Sequence, residues 1–446
     1  MPIDPKNEAL LAQIYRNLKE QPIDPDHPFY VKIWEGSPHD PIKRLKKHIT
    51  WNEVESLQLF SGFSGSGKTT QLMRLQQELQ REGYRVLYVD AEEYLNLGEA
   101  VDITALLITA TGAFSDKLDP SWVRESYWER LVNYLKTTDV QISGASFKFG
   151  GAELKAELRT SPSFRQQLQK ALNERLPQIT AQARTFVEEV TREAAPKAGP
   201  IPFRFVFLFD SFEKLHGTPS NEQEIMASVE RLFRNHLELL QLPGIHCVYS
   251  VPAWLSQVIS YAEVRVIPTL KLWRKRDASQ TADVADENGF AAVREILQRR
   301  FGGHDACARI FGPPDAKGQF RGAESLFAAS GGALRDLLRL FRETLLQGQD
   351  LPVTSKVIDA AIAEVRNDFR VSIEDARWLA KIHQEQAADL PTSSASDVNR
   401  FTRLLDSHLL LYYRNERDWY DIHPLVREEV ARIVSLNPER AAKPAE

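Results

Sequence analysis

The sequence has few of the features that mark exported, disulfide-bonded or membrane proteins. Only two cysteines occur in 446 residues, Cys247 and Cys307, and their wide separation matches no zinc-binding spacing. We expect both thiols to be buried and reduced, as in a cytoplasmic protein. The first residues show no basic segment followed by an apolar one, and no apolar run approaches membrane-spanning length. No membrane partner is therefore expected.

An excess of positive charge is also absent. The 56 lysines and arginines are outnumbered by 61 aspartates and glutamates, which gives a net charge of −5. Such a chain has no overall basic field to attract nucleic acid, so any DNA contact would need a local basic patch. The length exceeds that of one compact core and predicts two to four domains.

One glycine-rich stretch organises the chain. An apolar run from Leu57 to Phe60 leads into Gly-x-x-x-x-Gly-Lys-Thr at 62–69, and a helix is predicted from Thr69 to Arg81, closed by Gly83. Backbone N–H groups of small residues can surround phosphate oxygens, and the following helix directs its positive end at them. The alternative, an ordinary glycine-rich turn, lacks this strand and helix context. The stretch predicts binding of a nucleoside triphosphate.

Individual roles follow from the motif. Lys68 is expected to reach the β- and γ-phosphates, and the Thr69 hydroxyl is expected to hold Mg²⁺. The residues predicted to surround the phosphates are Gly62, Ser64, Gly65, Ser66, Gly67, Lys68, Thr69 and Thr70. Upstream, residues 1–50 form a short amphipathic helix and a linker. In it Tyr30, Trp34 and Ile49 are candidates for contact with adenine, or for plain packing of the linker.

Another predicted strand ends in an acid that is expected to contribute to the Mg²⁺ site. Residues 203–210 form a continuous apolar run that ends at Asp210. This is the Walker B pattern, and we expect the strand beside the phosphate-loop strand, with its carboxylate in the Mg²⁺ shell. A turn-capping Asp is the alternative. Ser211 stands where many ATPases have a catalytic Glu, so Glu213 either polarises the water or is a structural ion-pair partner. Slow hydrolysis is expected.

Later segments add candidate contacts to the phosphates. The run 244–252 predicts a strand with Ser250 at a γ-phosphate sensor position, and 264–272 predicts a fifth strand. Arg299 and Arg300 end a helix, where they could be a surface charge feature or an arginine finger for a neighbouring subunit. Farther on, Ser-Gly-Gly-x-x-Arg places Arg335 in the first turn of a helix.

Two other regions depart from a minimal nucleotide-binding domain. Residues 116–200 contain an aromatic-rich helix, two short alternating runs at 140–149, and a long amphipathic helix that Pro177 should kink or split. They predict either a helical cap on the core or an arm for a partner. The region 367–436 reads as two helices, a hairpin and a helix, a winged-helix outline, and the tail 437–446 is expected to be disordered.

With these motifs in this order, the chain resembles AAA+/STAND-type P-loop ATPases of the origin-recognition/Cdc6-like branch. The resemblance covers most of 40–430 and implies an α/β fold: a parallel sheet flanked by helices (51–312, with the helical insertion), a helical lid (313–366) and a winged helix. It implies ATP and Mg²⁺ as cofactors, Ser250 as first sensor, Arg335 as second sensor, and Arg300 or Arg299 as the finger. ATPases of this build commonly serve as switch modules, some in anti-phage defence.

Three functions remain open on the sequence. The first is an ATP-driven switch that acts on a separately encoded effector or sensor protein and forms a homo-oligomer when ATP binds. The second is a DNA-binding initiator or loader. From Val371 to Glu446 there are 10 basic and 13 acidic residues, a net of −3, which disfavours DNA unless Arg400, Arg403, Arg414 and Arg417 cluster. The third is a nucleotide-stabilised scaffold with little turnover.

Overall fold

The computed structural model describes residues 5–138, 150–194, 205–215, 220–259, 263–276, 283–348, 350–387 and 395–436. The predicted runs at 140–149, the end of the linker at 195–202 and the tail lie outside these residues. Seven strands are found in the described part of the chain: β1 Ser56–Gly62, β2 Arg85–Asp90, β3 Phe205–Asp210, β4 Ile245–Ser250, β5 Val264–Ile267, β6 Leu410–Arg414 and β7 Asp418–Ile422.

Helices surround and follow these strands. Their bounds are α1 Pro5–Asn17, α2 Pro41–Trp51, α3 Lys68–Arg81, α4 Ile103–Asp116, α5 Tyr127–Thr137, α6 Gly151–Thr160, α7 Pro162–Leu172, α8 Leu176–Ala194, α9 Glu222–Asn235, α10 Leu255–Val258, α11 Glu287–Phe301, α12 His304–Phe311, α13 Arg321–Ser330, α14 Leu334–Gln347, α15 Ser355–Arg366, α16 Ile373–Glu385, α17 Ala395–Asp406 and α18 Arg427–Leu436. None of the described helices is long and apolar enough to cross a membrane.

The chain divides into two compact units. The sheet unit comprises residues 41–61 and 71–266, and the lid unit comprises 1–40, 62–70 and 267–446. The phosphate loop therefore belongs to the lid unit, although β1 leads directly into it.

The sheet unit is built on a five-stranded sheet in the order β2-β3-β4-β1-β5. Strand β4 pairs in parallel with β1, where Phe60 lies opposite Ser250, and in parallel with β3 on its other side. The prediction that the Asp210 strand lies beside the phosphate-loop strand is wrong, because β4 separates them. Chain order does not determine sheet order, since parallel strands are joined by crossovers that can skip a position.

The helical insertion packs as a cap on this sheet. Pro177 lies in the first turn of α8, and the predicted long helix is split by a 3₁₀ turn at Asn173–Arg175. The apolar stripe of α7 and α8 is buried in one hydrophobic core together with β3. Within this core the ring of Phe186 is tilted against that of Tyr127, with the ring centroids 5.5 Å apart. Phe114 packs edge-on to Phe205, with the ring centroids 5.8 Å apart. The interpretation as a cap, rather than a free arm, is confirmed by this packing.

The predicted fifth strand is shorter than expected. Strand β5 ends at Ile267 rather than Leu272. Pro268 follows, and since proline has no N–H, it cannot donate to a strand ladder. The next residue, Thr269, instead donates its backbone N–H to the Tyr412 carbonyl of the hairpin at 2.7 Å.

The lid unit has its own hydrophobic core. Its buried members include Leu11, Ile14 and Leu18 around α1 and the inner faces of α11 to α15. The winged helix is confirmed as α16, α17, the antiparallel β6–β7 hairpin and α18. Its hairpin packs against the glycine turn before α14, where the Tyr413 hydroxyl donates to the Gly331 carbonyl at 2.6 Å.

Candidate phosphate-binding site

The phosphate loop has the backbone shape that its sequence predicts. The Ser66 N–H donates to the Phe63 carbonyl at 3.1 Å and closes a tight turn. Gly65 and Gly67 have φ values of +72° and +87°, a region that side chains with a Cβ rarely adopt. The two glycines therefore allow consecutive backbone N–H groups to curl around one centre, the geometry that binds anions.

The polar side chains of the loop are arranged around this turn. The Lys68 ammonium is buried and donates to the carbonyls of Gly62 and Phe63 at 2.6 and 3.1 Å. The buried Ser66 hydroxyl has no hydrogen-bond partner in the described structure. The Thr70 hydroxyl accepts from the Ile23 N–H at 3.1 Å, which ties the N-terminal connector to the phosphate loop, and its contact with phosphate stays a prediction.

Arg335 meets the loop from the lid. Its guanidinium donates to the Ser64 hydroxyl, and its Nε lies 3.5 Å from a Glu20 carboxylate oxygen. The contact with the loop is so close that a Cβ added to Gly65 would lie 2.5 Å from the Arg335 Cβ. The predicted second-sensor arginine thus lies at the phosphate loop, although Ser64 and Arg335 are 271 residues apart.

The sheet unit carries the acidic residues. Asp210 is fully buried at the carboxyl end of β3, and Tyr88 on β2 donates its hydroxyl to Asp210 Oδ2 at 2.7 Å. Burial first, and then the negative charge of Asp210, raise the pKa of Tyr88 well above its ordinary value, so this hydroxyl stays protonated as a donor. Tyr88 fixes the orientation of the acid.

Glu213 and Ser250 are brought together at the neighbouring strand ends. The Ser250 hydroxyl donates to Glu213 Oε2 at 2.6 Å and accepts from the Phe212 N–H at 3.2 Å. Ser211 adopts φ +68°, an uncommon conformation for a residue with a side chain, and a 3₁₀ turn at Phe212–Lys214 follows it. This bend is how an acid three residues after Asp210 is held against β4.

The two candidate finger arginines differ in their surroundings. The Arg300 guanidinium is buried, donates to the carbonyls of Asn17 and Lys19, and stacks over Phe29 with 5.1 Å to the ring centroid. Burial lowers its pKa. An arginine finger must project toward another subunit, and this enclosed position argues against that role for Arg300. The side chain of Arg299 also donates to its own chain, to the carbonyls of Pro28 and Tyr30, and pairs with Glu295 at 2.6 Å, but it is 40% exposed. Its finger role stays a prediction on the strength of that exposure.

Two of the three candidate adenine contacts, Tyr30 and Ile49, are buried. Tyr30 lies in the lid unit, where its carbonyl accepts from Arg299. Ile49 lies on the inner face of α2 in the sheet unit, in line with Ile42 and Leu45. Plain packing accounts for the burial of Ile49, and the adenine role of each residue stays a prediction.

The residues expected to hold Mg²⁺ suit a sparsely ligated site. The described residues contain no cluster of three or more His, Cys, Asp or Glu side chains that could hold a metal ion. Protein-bound Mg²⁺ commonly has one or two carboxylate or hydroxyl ligands, with water and nucleotide phosphates supplying the rest. Thr69 and Asp210 offer the oxygen donors of that kind, and their metal role remains a prediction.

Sequence reasoning missed one further residue at the loop. His408, two residues after the end of α17, lies 2.8 Å through Nε2 from the Ser64 carbonyl, and its Nδ1 lies 2.7 Å from Asp336 Oδ2. No local pattern in the sequence marks His408, because both of its partners are distant in the chain. Trp34, a candidate adenine contact, lines a small cavity beside the loop with Phe63, and its adenine role stays a prediction.

The winged helix offers little free positive charge. Arg400 and Arg403 both pair with the Asp375 carboxylate, at 2.8 and 3.0 Å. Arg414 pairs with Asp418 at 3.2 Å. Three of the four arginines that could have formed a DNA-binding patch are thus matched by acids of the same domain.

Comparisons with known proteins give distant structural likenesses. No family model matches the chain, and no curated protein matches it. The ADP form of ORC2 from Aeropyrum pernix has a TM-score of 0.42 and 12% identity, with 96% of this chain and 98% of that chain covered. For the Walker-type ATPase of Pyrococcus abyssi the TM-score is 0.38 and the identity 11%, with 92% and 100% covered.

A third likeness is to ORC1 of Aeropyrum pernix in complex with DNA, with a TM-score of 0.32, 13% identity, and 92% of this chain and 97% of that chain covered. At these scores the likenesses carry no argument about what this chain binds. The names of several of these solved structures are ORC or Cdc6.

Proposed function

We propose that this protein is an ATP-binding, slowly hydrolysing molecular switch that controls a separately encoded partner protein. The observation that carries the proposal is the composition of the lid unit: the phosphate loop contacts the lid through Arg335 and the winged helix through His408. A ligand that reshapes this loop must therefore disturb contacts to two other parts of the same unit.

Arg335 is the element that changes partners when phosphate arrives. It now interacts with the Ser64 hydroxyl and with Glu20, and the Glu20 carboxylate also pairs with Arg342 at 3.1 Å. A γ-phosphate is a stronger competitor for a guanidinium than a neutral hydroxyl, because both phosphate and guanidinium are charged and can bond in two places. Binding of ATP would draw Arg335 onto the nucleotide and loosen its link to Glu20.

Turnover would depend on the pair in the sheet unit. Glu213 is the candidate to polarise water, and Ser250 holds its carboxylate at 2.6 Å. Since Ser250 already serves as a donor to Glu213, its action as a γ-phosphate sensor would compete with that bond. Mg²⁺, when bound, would neutralise charge on the phosphates, with Thr69 and Asp210 as its predicted ligands.

A protein partner is favoured over DNA. Phosphate backbones are bound by unpaired basic side chains on one face. In the winged helix Arg400 and Arg403 share the acid Asp375, and Arg414 pairs with Asp418, which reduces the positive charge available for such a face. We also propose that the protein works in anti-phage defence, a setting that the family resemblance implies and in which a partner protein would be expected.

The proposal is tested by equilibrium binding and single-turnover hydrolysis of radiolabelled ATP. The unmodified chain should bind ATP with Mg²⁺ and hydrolyse it slowly, and Lys68→Ala should abolish both, because it removes the phosphate-facing ammonium. The matched control is Lys214→Ala, a half-exposed lysine that pairs with Glu92 in the sheet unit. Absence of ATP binding by the unmodified chain, or equal behaviour of the two variants, would contradict the proposal.

Oligomerisation is tested separately. Sedimentation with a slowly hydrolysed ATP analogue should show assembly of the unmodified chain, and Arg299→Ala should leave assembly intact while slowing hydrolysis. A monomer under all nucleotide conditions would remove the finger role of Arg299. Binding of duplex DNA with a steep dependence on salt concentration would favour the initiator function instead.

A further inference from the structure

His408 connects three elements of the lid unit at one point. It lies between the winged-helix hairpin and α17, its Nε2 is 2.8 Å from the Ser64 carbonyl, and its Nδ1 is 2.7 Å from Asp336 Oδ2 on α14. The side chain is nearly buried. One imidazole thus joins the winged helix to the phosphate loop and to the helix that carries Arg335.

The partners of His408 determine its protonation state. A backbone carbonyl and a carboxylate can only accept hydrogen bonds, so both ring nitrogens must carry a hydrogen. His408 is therefore an imidazolium in this arrangement, with Asp336 as its counter-ion. The other histidine at the site, His423, accepts from the Leu425 N–H at 3.2 Å through Nδ1, so its Nε2 carries the hydrogen directed at Asp336 Oδ2, 3.4 Å away.

The backbone at His408 shows that the side chain is placed at some cost. Its φ of +57° is a conformation that glycine adopts freely and most residues adopt rarely. Such outliers cluster where a side chain must be held in one position for function. A glycine would suit this turn after α17 better than histidine does, yet only the histidine can reach Ser64 and Asp336.

The hydrogen bond to Ser64 fixes the orientation of one peptide group in the phosphate loop. In a planar trans peptide the C=O of Ser64 and the N–H of Gly65 point in opposite directions. Holding the carbonyl outward against His408 therefore turns the Gly65 N–H toward the inside of the loop. A charged donor on the carbonyl also polarises the peptide and strengthens its N–H as a donor.

We propose that His408 is a positioning residue through which the winged helix prepares the phosphate loop for nucleotide, by holding the Ser64–Gly65 peptide with a charged hydrogen bond. This inference rests on the proposed function, since it concerns the same nucleotide site. By linkage, nucleotide binding and docking of the winged helix on the loop then strengthen each other to the same degree.

The test is titration with a fluorescent ADP analogue that carries a methylanthraniloyl group. His408→Gly should weaken binding about tenfold, as expected for the loss of one hydrogen bond to a charged group. Glycine relieves the positive φ but leaves the buried Asp336 carboxylate without one partner, so the titrations are run well below the thermal midpoint of each variant. The matched control is His383→Asn, which breaks a similar pair, His383 with Asp421 at 2.6 Å, within the winged helix.

A second variant separates charge from packing. Asp336→Asn keeps the size of the side chain but removes the counter-ion of the imidazolium. The groups that face His408 in the unmodified protein are the Ser64 carbonyl, Asp336 Oδ2 and His423. Arg339 lies 3.9 Å from the second carboxylate oxygen, Asp336 Oδ1. The Asp336→Asn variant should bind the ADP analogue more weakly than the unmodified protein. Adding His408→Gly to it should weaken binding little further, because both substitutions act through the same imidazole.

The outcomes distinguish the two proposals. Nucleotide binding that is lost in Lys68→Ala but stays within twofold of the unmodified protein in His408→Gly would overturn this inference alone. Effects of Asp336→Asn and His408→Gly that simply add would also overturn it, because Asp336 would then not act through His408. Absence of nucleotide binding by the unmodified chain would overturn both this inference and the proposed function.

Discussion

The hydrogen bond between Ser250 and Glu213 gives the sharpest prediction about turnover. Replacing Ser250 with alanine removes a hydroxyl that donates to the Glu213 carboxylate at 2.6 Å, and it leaves the Phe212 N–H without its acceptor at 3.2 Å. Both losses are local, because Ser250 is fully buried at the end of β4. The variant therefore tests whether the position of Glu213 matters for hydrolysis.

The expected fall in the rate of hydrolysis follows from the kind of hydrogen bond that is lost. A hydrogen bond to a charged group contributes about 1.5–3 kcal/mol, which corresponds to roughly 10- to 100-fold in rate if the bond holds the catalytic geometry. The stranded Phe212 N–H adds about 1–3 kcal/mol of lost folding stability, the desolvation cost of an unsatisfied buried donor. Single-turnover hydrolysis should thus fall by more than binding of ATP does.

A double-mutant cycle is the assay. Single-turnover rates are measured for Ser250→Ala, Glu213→Gln and the double variant, with thermal unfolding of each. If Ser250 acts by orienting Glu213, its removal should have little further effect in the Glu213→Gln background, so the two effects should not add. The matched control is Ser61→Ala, another fully buried serine, whose hydroxyl donates to the Val251 carbonyl at 2.5 Å.

Two results would refute this reasoning. An unchanged rate in Glu213→Gln would show that Glu213 does not polarise the water. Additive effects of Ser250→Ala and Glu213→Gln would show that Ser250 acts independently of Glu213. Ser250 would then contact the nucleotide itself, as its predicted role as a γ-phosphate sensor requires.

Three further predictions concern single positions. Gly65→Ala should abolish binding of the fluorescent ADP analogue, because its Cβ would lie 2.5 Å from the Arg335 Cβ at φ +72°; retained binding would contradict the loop geometry. Gly332→Ala should lower the free energy of unfolding in urea by about 3 kcal/mol. The φ at this position is +90°, and the added Cβ would lie 1.8 Å from the Leu270 carbonyl oxygen. An unchanged midpoint of unfolding would exclude that contact. Burial alone would raise the pKa of Asp336, but hydrogen bonds from two histidines hold it well below its ordinary value. Its stabilising contribution is therefore complete above pH 4 and is lost as the pH falls below that. Urea unfolding of Asp336→Asn should show a weaker loss of stability between pH 4 and pH 2 than the unmodified protein, and identical slopes would contradict the pairing.

Local patterns in the sequence predicted the local structures. The phosphate loop, strands β2, β3 and β4, the division of the insertion helix and the winged helix follow from short runs with clear periodicity or turn residues. The burial of both cysteines is likewise confirmed, and burial raises the pKa of each thiol to about 12. Such features depend on neighbours close in the chain.

What the sequence did not predict depends on distant partners. Strand β4 lies between β1 and β3 because of how the crossover connections order the strands, and the sequence of a single strand does not determine that order. Arg300 looked exposed at a helix end, but the carbonyls of Asn17 and Lys19, more than 280 residues earlier, enclose its guanidinium. The contact of His408 with Ser64 spans 344 residues, so no motif spacing could have predicted it.

The membership of residues 62–70 in the lid unit has a practical consequence for how this protein can be dissected. A shortened chain that ends before α16 would keep every residue of the Walker motifs, yet it would lack His408 beside Ser64 and the Tyr412 ring that packs 5.7 Å from Phe63. Weak nucleotide affinity in such a fragment would then report a missing neighbour, not a defective motif. We therefore expect measurements on such a fragment to underestimate the nucleotide affinity of the whole chain.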